Sequence, residues 1–133
     1  MNKRPLQLQK YGISGKRYKE LCGFCEQYPE WKSELALMTH LKAVQTTGMP
    51  SSGNIGDPTA NLAMRRAGLE SKVDVIERTA KEAAPQLWEY IIQSVCYGRP
   101  YHYLVTKMGM PSSDKPFYTQ RRYFFYLLDR RRD

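Results

Sequence analysis

The sequence is poor in the residues that mark most kinds of chemistry. It has three cysteines and two histidines in 133 residues. A small, odd number of cysteines does not make a disulfide framework. No apolar run approaches the ~20 residues that cross a bilayer. Met1-Asn2-Lys3-Arg4-Pro5 has basic residues but no apolar stretch behind them, so no secretion signal is expected. No segment alternates apolar and polar residues with the period of a strand, and no internal repeat is visible. The expectation is a cytoplasmic protein of a reducing compartment with no membrane contact. What is present is ordinary: 41% hydrophobic and 26% charged residues in 15.5 kDa, enough to bury one core without staples.

The candidate chemical motifs fail one by one. Cys22-Gly-Phe-Cys25 needs a second ligand pair to be a zinc half-site, and Cys96, His40 and His102 stand apart in sequence. As a redox motif it needs a preceding strand. The run Ser51-Ser52-Gly53-Asn54-Ile55-Gly56 lacks both the strand before and the Lys-Ser/Thr after that a phosphate loop needs. Both cysteines are expected on the inward face of a helix, as core. No catalytic residue, metal or cofactor is expected, and the chain does not read as an enzyme.

Charge is the informative property. The formal net charge is +8, unevenly spread. Residues 1–19 hold six positive and no negative charges, residues 20–98 seven positive and ten negative, and residues 99–133 eight positive and three negative. An acidic-to-neutral body with two basic ends is the pattern of a chain that meets a polyanion.

Periodicity predicts helices throughout. Residues 1–13 show none and are expected to be a basic arm. Ser14 reads as the N-cap of a helix carrying Tyr18, Leu21, Cys22 and Cys25 on one face, broken at Tyr28-Pro29. A second helix restarts near Pro29 or Glu30 with Trp31, Leu35, Met38 and Leu41 inward, and Leu37 and Val44 alongside. Residues 45–57 are rich in Gly, Pro, Ser and Thr and predict a loop, and Asp57-Pro58 opens a long helix to about Ala83. Its stripe is Leu62, Leu69, Val73, Ile76, Ala80 and Ala83. Pro85 is expected to start the next helix, which Gly98 closes. The scaffold spans residues 14–98.

Residues 99–133 predict a helix-turn-helix: a short helix over Tyr101–Met108, a turn at Gly109–Ser113, and a last helix from Ser113 or Asp114 to about Arg131. The short helix is expected to turn Leu104, Val105 and Met108 inward. With Phe117, Phe124 and Leu128 inward, Lys115, Tyr118, Thr119 and Arg122 fall together near the start of the last helix, the part that reaches base edges in a major groove. Arg122 is the candidate base reader; Ser113, Arg121, Arg130 and Arg131 complete the candidate DNA-binding set, with Arg121, Arg130, Arg131 and Arg132 expected on phosphates, Arg121 alternatively on a buried carboxylate.

Gly56-Asp57-Pro58-Thr59-Ala60, opening a long helix after a Gly/Ser-rich loop, and the run from Phe117 to Leu128 resemble the small phage-encoded transcriptional regulators of the RinA/ArpU type. Tyr18 to Trp31 adds to the likeness, which covers most of residues 14–130. The run Asp114-Lys115-Pro116 departs from that pattern, which has a Ser-Arg-x-Thr run there. The resemblance implies a last helix pair similar to sigma-factor region 4 and binding to promoter DNA in late phage gene activation. The sequence reading is therefore an all-α helical bundle with a C-terminal helix-turn-helix, a sequence-specific double-stranded DNA-binding regulator of phage or prophage origin. Host RNA polymerase and a second copy of the chain are the candidate protein partners. The rival reading is a DNA-binding phage assembly protein such as a small terminase subunit; a third is an anti-activator that binds protein alone.

Overall fold

The computed structural model describes residues 12–45 and 57–132, which form six helices and no strand. They are α1 (Gly15–Glu26), α2 (Tyr28–Gln45), α3 (Asp57–Ala83), α4 (Trp88–Val95), α5 (Tyr101–Thr106) and α6 (Asp114–Arg131). The all-α expectation holds. The arm and the 45–57 loop lie almost wholly outside the described residues. Ile13, assigned to the arm from sequence, is buried. Two compact units share the chain: a hairpin over residues 28–74, and a bundle of residues up to 27 with those from 75 onward.

Local signals explain most helix ends. Ser14 caps α1 as expected, its Oγ accepting from the Arg17 amide at 3.1 Å. The break expected at Tyr28-Pro29 narrows to one residue, because Pro29 sits in the first turn of α2, where its missing N–H costs nothing. Pro85 does not start α4. The Leu87 amide donates to the Ala84 carbonyl at 3.1 Å, closing a turn there, and the helix begins at Trp88. Gly98 and Gly109 both adopt φ of 71°, a left-handed conformation that only glycine takes without strain. After each, the next amide reaches six residues back: Arg99 to the Gln93 carbonyl at 3.0 Å and Met110 to the Leu104 carbonyl at 2.9 Å.

In the bundle, α4 packs against α1, α5 and α6, and α1 packs against α6. The core is Leu21 and Cys25 from α1, Ile76 and Ala80 from α3, Ile91 and Ile92 from α4, and Phe117, Phe124, Phe125 and Leu128 from α6. Burying each large apolar side chain contributes about 1.5–3 kcal/mol relative to exposure. Two aromatic contacts at Phe125 are edge-on: Tyr18 meets Phe125 at 5.0 Å and Phe124 meets Phe125 at 5.3 Å between ring centroids. Buried Thr79, near the C-terminal end of α3, is satisfied twice, donating to the Val75 carbonyl at 2.6 Å and accepting from Arg131 Nη1 at 2.9 Å. Of the short α5 helix, Leu104 is buried, but Met108 is exposed and Met110, beyond the glycine, takes the inward place.

In the hairpin, Tyr28, Trp31 and Met38 of α2 and Leu69 and Val73 of α3 are buried. Leu37, Leu41 and Leu62 are not. The expected stripes of α2 and α3 are thus covered at one end and open to solvent at the other.

Candidate nucleic-acid interface

The segment from α4 to α6 holds the candidate residues. The chain between α5 and α6 covers residues 107–113, longer than the three or four residues of a compact helix-turn-helix. Tyr101 pins this turn: its hydroxyl donates to the Ser112 carbonyl at 2.9 Å, and its ring lies 6.0 Å from both Phe117 and Tyr118. Ser113 occupies the N-cap position of α6 in extended geometry, but its side chain makes no capping bond.

The structure separates the sequence-selected side chains into two groups. Lys115 and Thr119 are exposed, and Arg122 beside them donates from Nη2 to Thr119 Oγ1 at 3.3 Å. These three form one outward cluster on the first half of α6. Tyr118 does not join it; the ring is half-buried against Phe117 and Tyr101.

The arginines of the second group are committed to the bundle. Arg121 donates from Nε to Ser94 Oγ of α4 at 3.1 Å and lies 5.4 Å from the Phe125 ring centroid. Arg131 donates to Thr79 and forms an ion pair with Glu82, both on α3. Arg132 packs over the Phe24 ring of α1 at 4.0 Å. The phosphate role expected for Arg121, Arg131 and Arg132 therefore competes with tertiary contacts that a local sequence pattern does not reveal, and the alternative buried-carboxylate partner for Arg121 is replaced by the Ser94 hydroxyl. Arg130 remains exposed, with its guanidinium 5.1 Å from the Tyr126 ring centroid. Tyr126 in turn stacks on Tyr123 at 6.0 Å and 13°. That Tyr123–Tyr126–Arg130 ladder was missed in the sequence, although its i, i+3, i+7 spacing is visible there.

Electrostatics favour an anion at this face. Residues 75–132 contain ten Lys and Arg against five Asp and Glu. Two of those acids, Glu82 and Asp129, are held by Arg131 and Arg17 near the end of α6. Near Lys115 and Arg122, only Asp114 on α6 opposes them in sequence.

The cysteines form the other cluster. Cys25 and Cys96 are buried and hydrogen-bonded to each other, correcting the sequence view of Cys96 as isolated. That bond, with burial, holds the Cys25 thiol well above the usual range. Burial also raises the Cys22 thiol, against the opposing hydrogen bond from Tyr18. The Tyr18 phenol is pushed up by burial and drawn down by nearby Arg121. Cys25 and Cys96 are core thiols, while Cys22, expected in the core from sequence, is only half-buried; the raised Cys22 and Cys25 thiols are held protonated. Among the described residues no three His, Cys, Asp or Glu side chains are grouped to hold a metal ion, and no helix is long and apolar enough to cross a membrane.

Comparisons with protein-family models, with curated proteins and with solved structures give no match to this chain.

Proposed function

We propose that the chain is a sequence-specific double-stranded DNA-binding transcriptional regulator of the phage type, acting without catalysis, with α5 and α6 as its helix-turn-helix. The observation that carries the reading is the outward cluster of Lys115, Thr119 and Arg122 on the first half of α6, backed by an otherwise buried aromatic face. Arg at such a place pairs bidentately with guanine, Thr meets a thymine methyl or a phosphate, and Lys meets phosphate. The basic bundle supplies the long-range attraction that brings a duplex to it.

Selection of bound duplexes from a random pool tests the reading. A recovered consensus, bound with a log–log salt slope of roughly −5 to −7 for six to eight phosphate contacts, is the expected result. Failure to bind any duplex at low salt overturns it.

The uncovered apolar side chains of the hairpin support a second reading, a DNA-binding assembly protein working as an oligomeric ring. A stable ring in light scattering would favour that reading over the regulator.

A further inference from the structure

The hairpin shows solvent a surface that a lone chain does not need. Leu37 is 55% exposed, Leu41 46% and Met64 70%. Scattered apolar side chains are normal on a surface, but grouped ones mark contact sites. Here they are grouped. The ion pair of Glu34 with Arg65 joins α2 to α3 along one side of the hairpin. Leu37 and Leu41 follow Glu34 by three and seven residues, so they share that side of α2. Gly68 follows Arg65 by three residues and Met64 by four, so it lies on the same side of α3.

Gly68 is the second observation. It is exposed within α3, and a Cβ placed on it meets nothing within 4 Å. It serves no turn and no close approach inside this chain, although glycine weakens a helix interior. Ala60, Ala67 and Ser71 lie along the same side of α3, small, uncharged and exposed, with the paired Arg65 at its edge. A solvated helix face ordinarily carries charges there.

We infer that this side of the hairpin is the docking surface for a second copy of the chain, two hairpins closing into a four-helix bundle. Two features select a copy over another partner. A two-fold contact requires one surface to carry both halves of its own complement. The hairpin does, with the Leu37–Leu41 ridge as knobs and the strip at Gly68 as the groove that admits them. Charge gives the second reason. Residues 28–74 hold five Lys and Arg and five Asp and Glu, in a chain of net charge +8. Two copies meeting through the neutral hairpin avoid the like-charge repulsion that the basic bundle would bring. A strongly charged partner would gain nothing from a neutral surface. The size also fits: an 18-residue α2 makes a face about 27 Å long and roughly 20 Å wide across two helices, about 540 Å² per partner, so two copies reach the ~1,000 Å² in total that a small specific contact needs.

The test is light scattering on the full chain without DNA, across a wide dilution series. Dimers are expected. Leu37→Glu with Leu41→Glu is expected to weaken dimerisation roughly tenfold or more, the scale of losing a buried anchor, with helical circular dichroism unchanged. Gly68→Leu fills the groove while favouring helix, so it is expected to weaken the dimer in a chain that remains folded. A monomer at every concentration, a ring, or variants that dimerise as well as the parent would overturn the inference. Because DNA is absent, a dimer that later binds no duplex would sink only the regulator reading, and a DNA-binding monomer only this one.

Discussion

Arg17 of α1 holds Asp129 of α6 by two bonds at once, Nε to carboxylate Oδ1 at 2.6 Å and Nη2 to the Asp129 carbonyl at 3.1 Å. The first and last helices are thereby fastened across 112 residues of chain. The guanidinium also satisfies a last-turn carbonyl, where a cation suits the negative end of the helix dipole. With Asp129 and Glu20 as acceptors, its pKa is raised above an already high value, so the fastening does not titrate on the arginine side. Arg17→Ala is expected to cost about 1–2 kcal/mol, between a surface ion pair and a buried charged bond. Urea unfolding should show a lower midpoint with an unchanged slope; an unchanged midpoint would mean the link is idle.

Arg130 and Arg131 are neighbours with opposite fates. Arg131→Ala removes the bonds to Thr79 and Glu82 and is expected to cost about 1 kcal/mol of stability. Arg130→Ala breaks no tertiary bond and should leave the melting temperature alone while lowering the salt slope of duplex binding by about one. Thermal melts and salt titrations of the two variants, run side by side, decide whether fold and binding divide here.

At the outward cluster, Arg122→Ala should relax preference at one base pair, a loss of about 1–3 kcal/mol against the preferred sequence alone. Binding measured on the consensus and on single-base variants gives the answer. A loss uniform across all sequences would show that the helix touches phosphates and reads nothing.

The thiols predict an alkaline weakness. Cys22 and Cys25 have folded pKa values raised above the unfolded one, so above about pH 8.5 the unfolded chain releases protons that the folded chain keeps. Stability is therefore complete below that pH and declines as pH rises through the folded values. Alkylation of Cys25 and Cys96 should track global unfolding, and Cys25→Ser should flatten the decline. Rapid labelling of Cys25 or Cys96 in the native protein would contradict their burial.

Glu34 predicts an acid weakness with the opposite sign. The hydrogen bond from Arg65 holds its carboxyl below the usual range. Its contribution is present above the unfolded value of about 4.3 and is lost as pH falls through the folded one. A carboxyl titration followed by NMR should place Glu34 below the ordinary glutamate value, and Arg65→Ala should raise it back toward that value.

Much of the architecture was legible because it is locally encoded. Ser14, Gly98 and Gly109 mark ends that depend on a few neighbouring residues. The stripe from Leu69 to Ala83 has the period of a helix with one covered side. The same stripe pattern failed at Leu41 and Leu62, because periodicity names the apolar face of a helix without saying whether anything covers it. The candidate site was legible to the same degree. Spacing alone placed Lys115, Thr119 and Arg122 together. It could not show that Arg131 answers to Thr79, 52 residues away, or that Cys25 meets Cys96, since these pairings exist only once the helices pack.

The two sides of α6 answer to different constraints. Phe117, Phe124, Phe125 and Leu128 are fixed by a core that tolerates no change of volume without loss. Lys115 and Thr119 bear none of that core. Substitution on the outward side is therefore nearly free of folding cost, while the inward side holds the helix in place. Under the function proposed above, a lineage built on this chain exchanges one bound sequence for another by a few surface changes, inheriting the support intact.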